Sequence, residues 1–263
     1  MPNGTASANG VSTPDEILSP LPDAFRSELL SMYASEPQIG SDGKTHTMHP
    51  TTRISREQGM WIYSLCRAMK PKTTLEIGMA YGFSSIYFLA AIHDNGAGFH
   101  TAVDPFQDSD WHGVGSRKPE RLGMSDHFRL IRELSVAALA HRADAGEMFD
   151  VIFVDGNHRF DDVLVDFTLS AELCPMGGCI VLDDMWMPSI RRVAAFIRMN
   201  RADFEEVATP VGNIAAFRRV GDDARKWNHY VEFSDTHTLQ HKILRAVRSS
   251  TPSFIRHRLL PPR

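Results

Sequence analysis

The stretch Thr73 to Ser85, T-T-L-E-I-G-M-A-Y-G-F-S-S, constrains this chain more than any other. Thr73 to Ile77 mixes β-branched and apolar residues and predicts a buried strand. Gly78 and Gly82 free the backbone for a tight turn, and Phe83 to Ile92 resumes helical spacing. Strand, glycine turn and helix in that order bring a helix N-terminus, with its unpaired N–H groups and positive dipole end, up to whatever binds at the turn. An anionic or carboxylate-bearing ligand suits such a place. Gly78, Ala80 and Gly82 do not complete the G-x-G-x-x-G of a dinucleotide site. Glu76 also argues against a pyrophosphate, which it would repel, and for an ammonium group, which it would attract.

Downstream, short apolar runs alternate with helical patterns. Strands are expected at Phe99 to Val103, Phe128 to Ile131, Phe149 to Val154 and Cys179 to Leu182. Helices are expected at Arg117 to Met124, Ser135 to Arg142, Phe160 to Leu173 and Ile190 to Met199. The alternation predicts a parallel sheet covered on both faces. Phe204 to Thr209 and Ile214 to Val220, separated by the turn residues Pro210 to Asn213, predict an antiparallel hairpin that closes it. The expected class is α/β, a Rossmann-like doubly wound sheet of seven strands, mostly parallel, with helices on both faces.

The flanks differ in character. Residues 1–20 are rich in Gly, Ser, Thr, Asn and Pro and are expected to form a disordered leader. Asp23 to Tyr33 carries a helical stripe with Asp23 as its capping residue; Glu36 to Thr52, with His46 and His49, is expected to act as a lid-like segment. Ser55 is expected to open a second helix, with Glu57 to Met69 placing Met60, Trp61, Leu65 and Cys66 on one face. The central domain is expected over 54–220. The tail, 221–263, has no acid beyond Asp235 but carries Lys242, Arg245, Arg248, Arg256, Arg258 and Arg263 around an apolar stripe. Such a helix packs on its own domain or a second subunit more often than on a membrane, and self-association is expected. A net charge of −4 gives no reason to expect nucleic acid as a partner. Cys66, Cys174 and Cys179 form no C-x-x-C pair, and the apolar runs around Cys66 and Cys179 predict buried, reduced thiols in a cytoplasmic protein.

In an open parallel sheet, ligands bind beyond the carboxyl ends of the strands. Here each of the first strands ends in or beside an acid, with Glu76, Asp104, Asp155 and Asp183 at strand ends. A carboxylate at Asp104 can accept two hydrogen bonds from a ribose diol. Residues Glu133 to Ser135 follow the third strand and would lie near an adenine. The segment F-D-V-I-F-V-D-G-N-H puts His158 three residues after Asp155, and Asp183 and Asp184 close the next strand. Three converging carboxylates are costly unless a cation joins them, and oxygen ligands suit a hard dication such as Mg²⁺.

The E-I-G-x-x-x-G-x-S turn resembles motif I of the class I S-adenosylmethionine-dependent methyltransferases. The acidic cluster is similar to that of the metal-dependent O-methyltransferases, including catechol O-methyltransferase and the sugar O-methyltransferases of macrolide and aminocoumarin biosynthesis. The resemblance covers about Ser55 to Val220. It implies a cofactor site of Glu76, Gly78, Met79, Gly82, Ser84, Asp104, Glu133, Ser135 and Asp155. It implies a divalent metal on Asp155, Asp183 and Asp184, and catalysis by His158 or Asp155 as the base that takes a hydroxyl proton. The implied reaction is O-methylation of a small molecule, sugar or natural product. Trp111, His112, Trp186 and Met187 are expected to wall the acceptor site. Competing readings are a non-catalytic S-adenosylmethionine-binding protein, a nicotinamide oxidoreductase on a related fold and a hydroxylase-type relative, for which no two-histidine, one-carboxylate iron set stands out.

Overall fold

The structure is a computed structural model that describes residues 15–234. A helix α1 (Asp23–Tyr33) and a two-residue hairpin, β1 (Gln38–Ile39) and β2 (Thr45–His46), lead into α2 (Arg56–Met69). The alternating part follows: β3 (Thr73–Ile77), α3 (Phe83–Asn95), β4 (Phe99–Val103), α4 (Lys118–Arg121), β5 (Phe128–Ile131) and α5 (Ser135–Asp144). Then come β6 (Val151–Val154), α6 (Phe160–Leu173), β7 (Cys179–Leu182), α7 (Pro188–Asn200), β8 (Phe204–Val207) and β9 (Ala215–Arg219). Seven strands make one sheet in the order β5-β4-β3-β6-β7-β9-β8. The first five run parallel, and β9 lies antiparallel to both β7 and β8. The expected doubly wound sheet and its closing hairpin are both present.

Side chains alternate across the sheet, as the period of two requires. Val151, Phe153, Cys179 and Val181 pack in the core under α1 to α3. Ile152, Val154, Ile180 and Leu182 face the opposite core under α5 to α7. Helix α3 is buried at every residue from Phe83 to Ile92, so an all-round apolar sequence there is packing and not amphipathicity. Helix α2 starts where Ser55 accepts from the Gln58 backbone N–H while the Gln58 side chain accepts from the Ser55 N–H, a complete capping box. The topological switch lies at β3, whose flanking strands β4 and β6 open a crevice at their carboxyl ends.

Several sequence expectations are corrected. Residues 15–20 are not leader: Glu16–Leu18 form a 3₁₀ turn and Leu18 is fully buried against the core, an apolar side chain with somewhere to go. The leader expectation for residues 1–14 and the basic-tail expectation beyond 234 lie outside the described residues. Asp23 is the first helical residue and pairs with Arg26 at 2.6 Å, while Pro22 holds the capping position. The helix expected from Arg117 to Met124 shrinks to Lys118–Arg121, because Pro119 sits in its first turn and Gly123 adopts a left-handed φ of 68°. The strand expected from Phe149 begins at Val151, since the Asp150 carboxylate accepts from the Lys72 and Thr73 N–H groups instead. All three cysteines are buried and free. Among the described residues, no helix is long and apolar enough to cross a membrane.

The segment before α2 is tied down by a buried ammonium. Lys118, 1% exposed, donates to Glu28 of α1 and to Gln38 of β1, each at 2.7 Å. Burial holds the Lys118 ammonium below its ordinary range, and Glu28 counters that. Burial would raise Glu28, but Lys118 and Arg121 outweigh it and keep its carboxyl below the usual value. Removing one partner of such a pair strands the other charge. Glu28→Ala is therefore expected to lower unfolding stability by about 3 kcal/mol, and Glu28→Leu with Lys118→Met to recover most of the loss, as read by urea denaturation.

Candidate active site

The turn after β3 is built on close backbone approach. Gly78 has a φ of 87°, and a Cβ there would lie 2.1 Å from the carbonyl oxygen of Asp155 at the end of β6. Ala80 holds a φ of 46° without being glycine. Asp104, at the end of β4, supports this shape. Its Oδ2 accepts from the N–H groups of Met79 at 3.2 Å and Ala80 at 2.8 Å, and its Oδ1 accepts from Phe106 N–H at 2.8 Å. Glu76 lies beneath the turn, fully buried, and accepts from Ser84 at 2.6 Å and from Ser85. His100 Nε2 approaches the same carboxylate at 3.1 Å.

A cavity of about 740 Å³ opens above these strand ends. Gly78, Met79, Ser84, Asp104, Ser135 and Asp155 line it, as the sequence reading expected. Three expected cofactor residues do not. Glu76 is spent on Ser84 and Ser85 under the turn. Gly82 faces away, its open side 3.2 Å from Gly115 Cα and 3.3 Å from Lys118 Cγ. Glu133 pairs with His141 on the surface at 3.0 Å, leaving Leu134 to Val136 to make the wall. Of the expected acceptor wall, Trp111 lines the cavity. Trp186 is 64% exposed and donates to Asp184, while His112 stacks on His46 at 4.1 Å. Met187 packs against the core below. From the lid-like segment, Thr51 and Thr52 reach the cavity, followed by Arg53 and Ile54.

The acidic cluster sits at the ends of β6 and β7. Ligand atoms of Asp155, His158 and Asp184 lie within 4.8 Å of one another. His158 Nε2 is 2.7 Å from Asp184 Oδ2 and 3.6 Å from Asp155 Oδ1. That nitrogen is buried, and neither carboxylate is aligned with it for a well-formed hydrogen bond. Asp184 adopts a φ of 55°, which turns it away from Asp183. Of the expected trio, Asp155 and Asp184 stand in this cluster with His158, while Asp183 lines the same cavity and accepts hydrogen bonds from other partners. Asp183 Oδ1 accepts from Gln58 at 2.6 Å and from the Asp184 N–H at 2.7 Å. Asn213, also at positive φ, bridges toward both aspartates at 3.4 Å. Asn213 was read in the sequence only as part of the hairpin turn, and Gln58 was not singled out, although its place three residues after Ser55 is the spacing of a capping box.

Charge explains the arrangement. Burial raises the carboxyls of Asp155 and Asp183 above the ordinary range, helped by Asp184 and Glu76 at Asp155 and by Asp155 and Asp184 at Asp183. The contacts with Asp155 and Asp184 push the His158 imidazole up to about 10 against its burial. Asp184 is lowered, first by His158 and further by Trp186 and Asn213. The His158 ring thus holds its proton through neutral pH when no cation is bound. A buried nitrogen without a well-aligned partner, facing two carboxylate oxygens, also fits a divalent cation in place of that proton. Gly78 packs so closely on the Asp155 carbonyl that a Cβ would clash with it, and the cavity beside this turn has room and polar groups for a nucleoside cofactor.

Residues 75–185 match the family described as Methyltransferase domain. A catechol O-methyltransferase of Niastella koreensis is 23% identical over 136 residues, which are 51% of this chain and 60% of that protein. The chain spans only 12% to 60% of the length of the curated relatives it matches. SAH-bound PaMTH1, a methyltransferase of Podospora anserina, is 19% identical with a TM-score of 0.59, over 83% of this chain and 100% of that one. TomG, an O-methyltransferase of Streptomyces achromogenes involved in tomaymycin synthesis and solved with SAM, is 20% identical with a TM-score of 0.58, over 76% of this chain and 91% of that one. The shared fold is that of class I methyltransferases.

The cluster makes a prediction for the metal-free protein. A histidine whose folded pKa is raised stabilises fully below its unfolded value, about 6.5, and loses that contribution as pH rises through about 10. The lowered Asp184 contributes only above the ordinary carboxylate range. In chelator, His158→Gln is expected to melt below the native chain from about pH 5 to 8, and the two melting curves to converge as pH passes about 10.

Proposed function

From the methyltransferase-domain match over residues 75–185, we propose that this chain is an S-adenosylmethionine-dependent O-methyltransferase assisted by a divalent cation. The observation that carries this reading is the meeting, in one cavity, of the Gly78 turn and the Asp155, His158 and Asp184 cluster. S-adenosylmethionine supplies an activated methyl carbon, so the protein has to align an acceptor oxygen and dispose of its proton. The backbone from Gly78 to Ala80 and the side chains of Ser84 and Asp104 line the cofactor side. Glu76 acts below them, holding Ser84 and Ser85 and so the first turn of α3.

Asp155, Asp184 and His158 are the residues that would hold a cation such as Mg²⁺, with Asp183 beside them. The cation would supply positive charge that favours the ionised form of a bound hydroxyl. A proton on His158 and a dication in the cluster compete for the same carboxylates. His158 Nε2 cannot hold the cation and take a proton at once: with the ring on the cation, Asp155 on the cofactor side would accept the hydroxyl proton, and with the cation on the aspartates alone, His158 Nε2 would accept it. Trp111, Thr51, Thr52 and Ile54 border the acceptor end. Their mixture of one flat ring and hydroxyls suits a polyhydroxylated small molecule, a sugar or natural product.

Two outcomes test this. Gly78→Ala is expected to weaken S-adenosylhomocysteine binding at least about tenfold, about 1.4 kcal/mol, in calorimetric titration, because the new Cβ meets Asp155 O; unchanged affinity would count against the cofactor site. Mg²⁺ added at pH 8 is expected to release close to one proton per chain from the native protein and much less from His158→Gln. A Mg²⁺ titration with no proton release, together with full methyl transfer in excess chelator, would remove the metal from the reading.

A further inference from the structure

Among the described residues, three basic side chains line the cavity: Arg53, His158 and Arg159. Two of them are already answered by carboxylates. His158 Nε2 stands 2.7 Å from Asp184 Oδ2, and Arg159 Nε donates to Asp162 at 2.7 Å. Arg53 pairs with no carboxylate among the described residues. Its Nη1 donates to the Tyr33 carbonyl at 3.0 Å, and its guanidinium carbon lies 6.0 Å from the centre of the Tyr33 ring. The Tyr33 hydroxyl in turn donates to the carbonyl of Ile54 at 3.0 Å, so the end of α1 and the Arg53–Ile54 stretch are joined from both sides. The neighbouring Arg56, which also lies over the Tyr33 ring, is paired with Asp15 at 3.0 Å.

A guanidinium has five N–H donors, and the Tyr33 carbonyl takes one. The remainder belong to a side chain that is exposed and lines the cavity, where a ligand can reach it. A planar fork of donors matches a carboxylate. The acidic cluster in the same cavity repels one, so a ligand carrying both a carboxylate and a hydroxyl is turned with its anion toward Arg53. We propose that Arg53 is a specificity-determining residue for the acceptor, its guanidinium taking the carboxylate of a hydroxy acid while the acidic cluster takes the hydroxyl. The proposal rests on the reading of this cavity as an O-methyltransferase site. A rival source of the same chemistry is the carboxylate of the cofactor's methionine end, for which the N-terminus of α3 already offers unpaired N–H groups.

Calorimetric titration of the full chain, with Mg²⁺ and S-adenosylhomocysteine bound, tests this with two pairs of probes. They are 3,4-dihydroxybenzoate against its amide, and glucuronate against glucuronamide; each pair keeps the hydroxyls and differs in charge. The native protein is expected to bind the acid at least about tenfold more tightly in one pair or both, the worth of a charge-assisted hydrogen bond. Arg53→Gln, which keeps an N–H for Tyr33, is expected to bring acid and amide within about threefold, and Arg53→Lys to retain part of the preference. Equal binding of acid and amide by the native protein overturns the proposal, as does binding of no probe. So does an unchanged preference in Arg53→Gln with only a lower melting temperature. If Arg53→Gln instead loses S-adenosylhomocysteine but keeps 5′-methylthioadenosine, which lacks the carboxylate, Arg53 serves the cofactor and the proposal falls alone. If the native protein does not bind S-adenosylhomocysteine, the methyltransferase reading falls first and the proposal with it.

Discussion

Neighbouring parallel strands lie about 4.8 Å apart, and two of them here end in aspartates. The ends of β6 and β7 thus force Asp155 and Asp183 into one buried place, where burial and repulsion hold both carboxyls above their usual range. Much of the surrounding structure answers that one electrostatic cost. His158 brings a positive ring to the cluster. Gln58 reaches across from α2 to donate to Asp183, Asn213 reaches back from the closing hairpin, and the left-handed turn at Asp184 keeps the second acid from crowding the first. Helix α2 and the β8–β9 hairpin, far apart in sequence, are joined to the sheet centre through this charge.

The four strand-end acids therefore do different work although they read alike in sequence. Glu76 and Asp104 serve the turn: one accepts from Ser84 and Ser85 beneath it, the other from the backbone N–H groups of Met79 and Ala80. Asp155 and Asp184 face the cavity with His158. An acid satisfied by hydrogen bonds from its own chain is fixed and shapes a site, whereas an acid left facing like charge is poised to take a cation or a proton. Burial follows the same division: Glu76 and Asp104 are enclosed, whereas the side chains of Asp155 and Asp184 are each 24% exposed.

The sheet was legible in the sequence because its signals are local: apolar runs at β3 through β7, glycines at the turns and a hairpin turn at Pro210 to Asn213. Ser55 announced the start of α2, and Thr73 to Ser85 announced the glycine turn. What remained hidden depends on orientation. Nothing in the order of residues says that Gly82 faces Gly115 and not the cavity, or that Asp183 turns toward a glutamine 125 positions away. The imidazolium state of His158 was equally hidden, because it follows from two carboxylates brought in by separate strands. Arg53 lay between the lid-like segment and α2, with nothing to distinguish it from a surface arginine until that stretch was seen to border the cavity.

The hairpin Gln38–His46 lies within the segment Glu36 to Thr52 that was expected to act as a lid, and it is anchored to the body of the chain. Swinging it outward would pull Gln38 from Lys118, break the Ser41 contact to the His112 carbonyl and separate the stacked rings of His46 and His112. The first of these would leave an enclosed ammonium short of an acceptor, at a cost that an approaching small molecule would have to meet before gaining any contact of its own. The hairpin is thus held against the body of the chain, and of the segment expected as a lid only Thr51 and Thr52 border the cavity. Whatever enters the cavity therefore passes Thr51 to Ile54 and not the anchored hairpin.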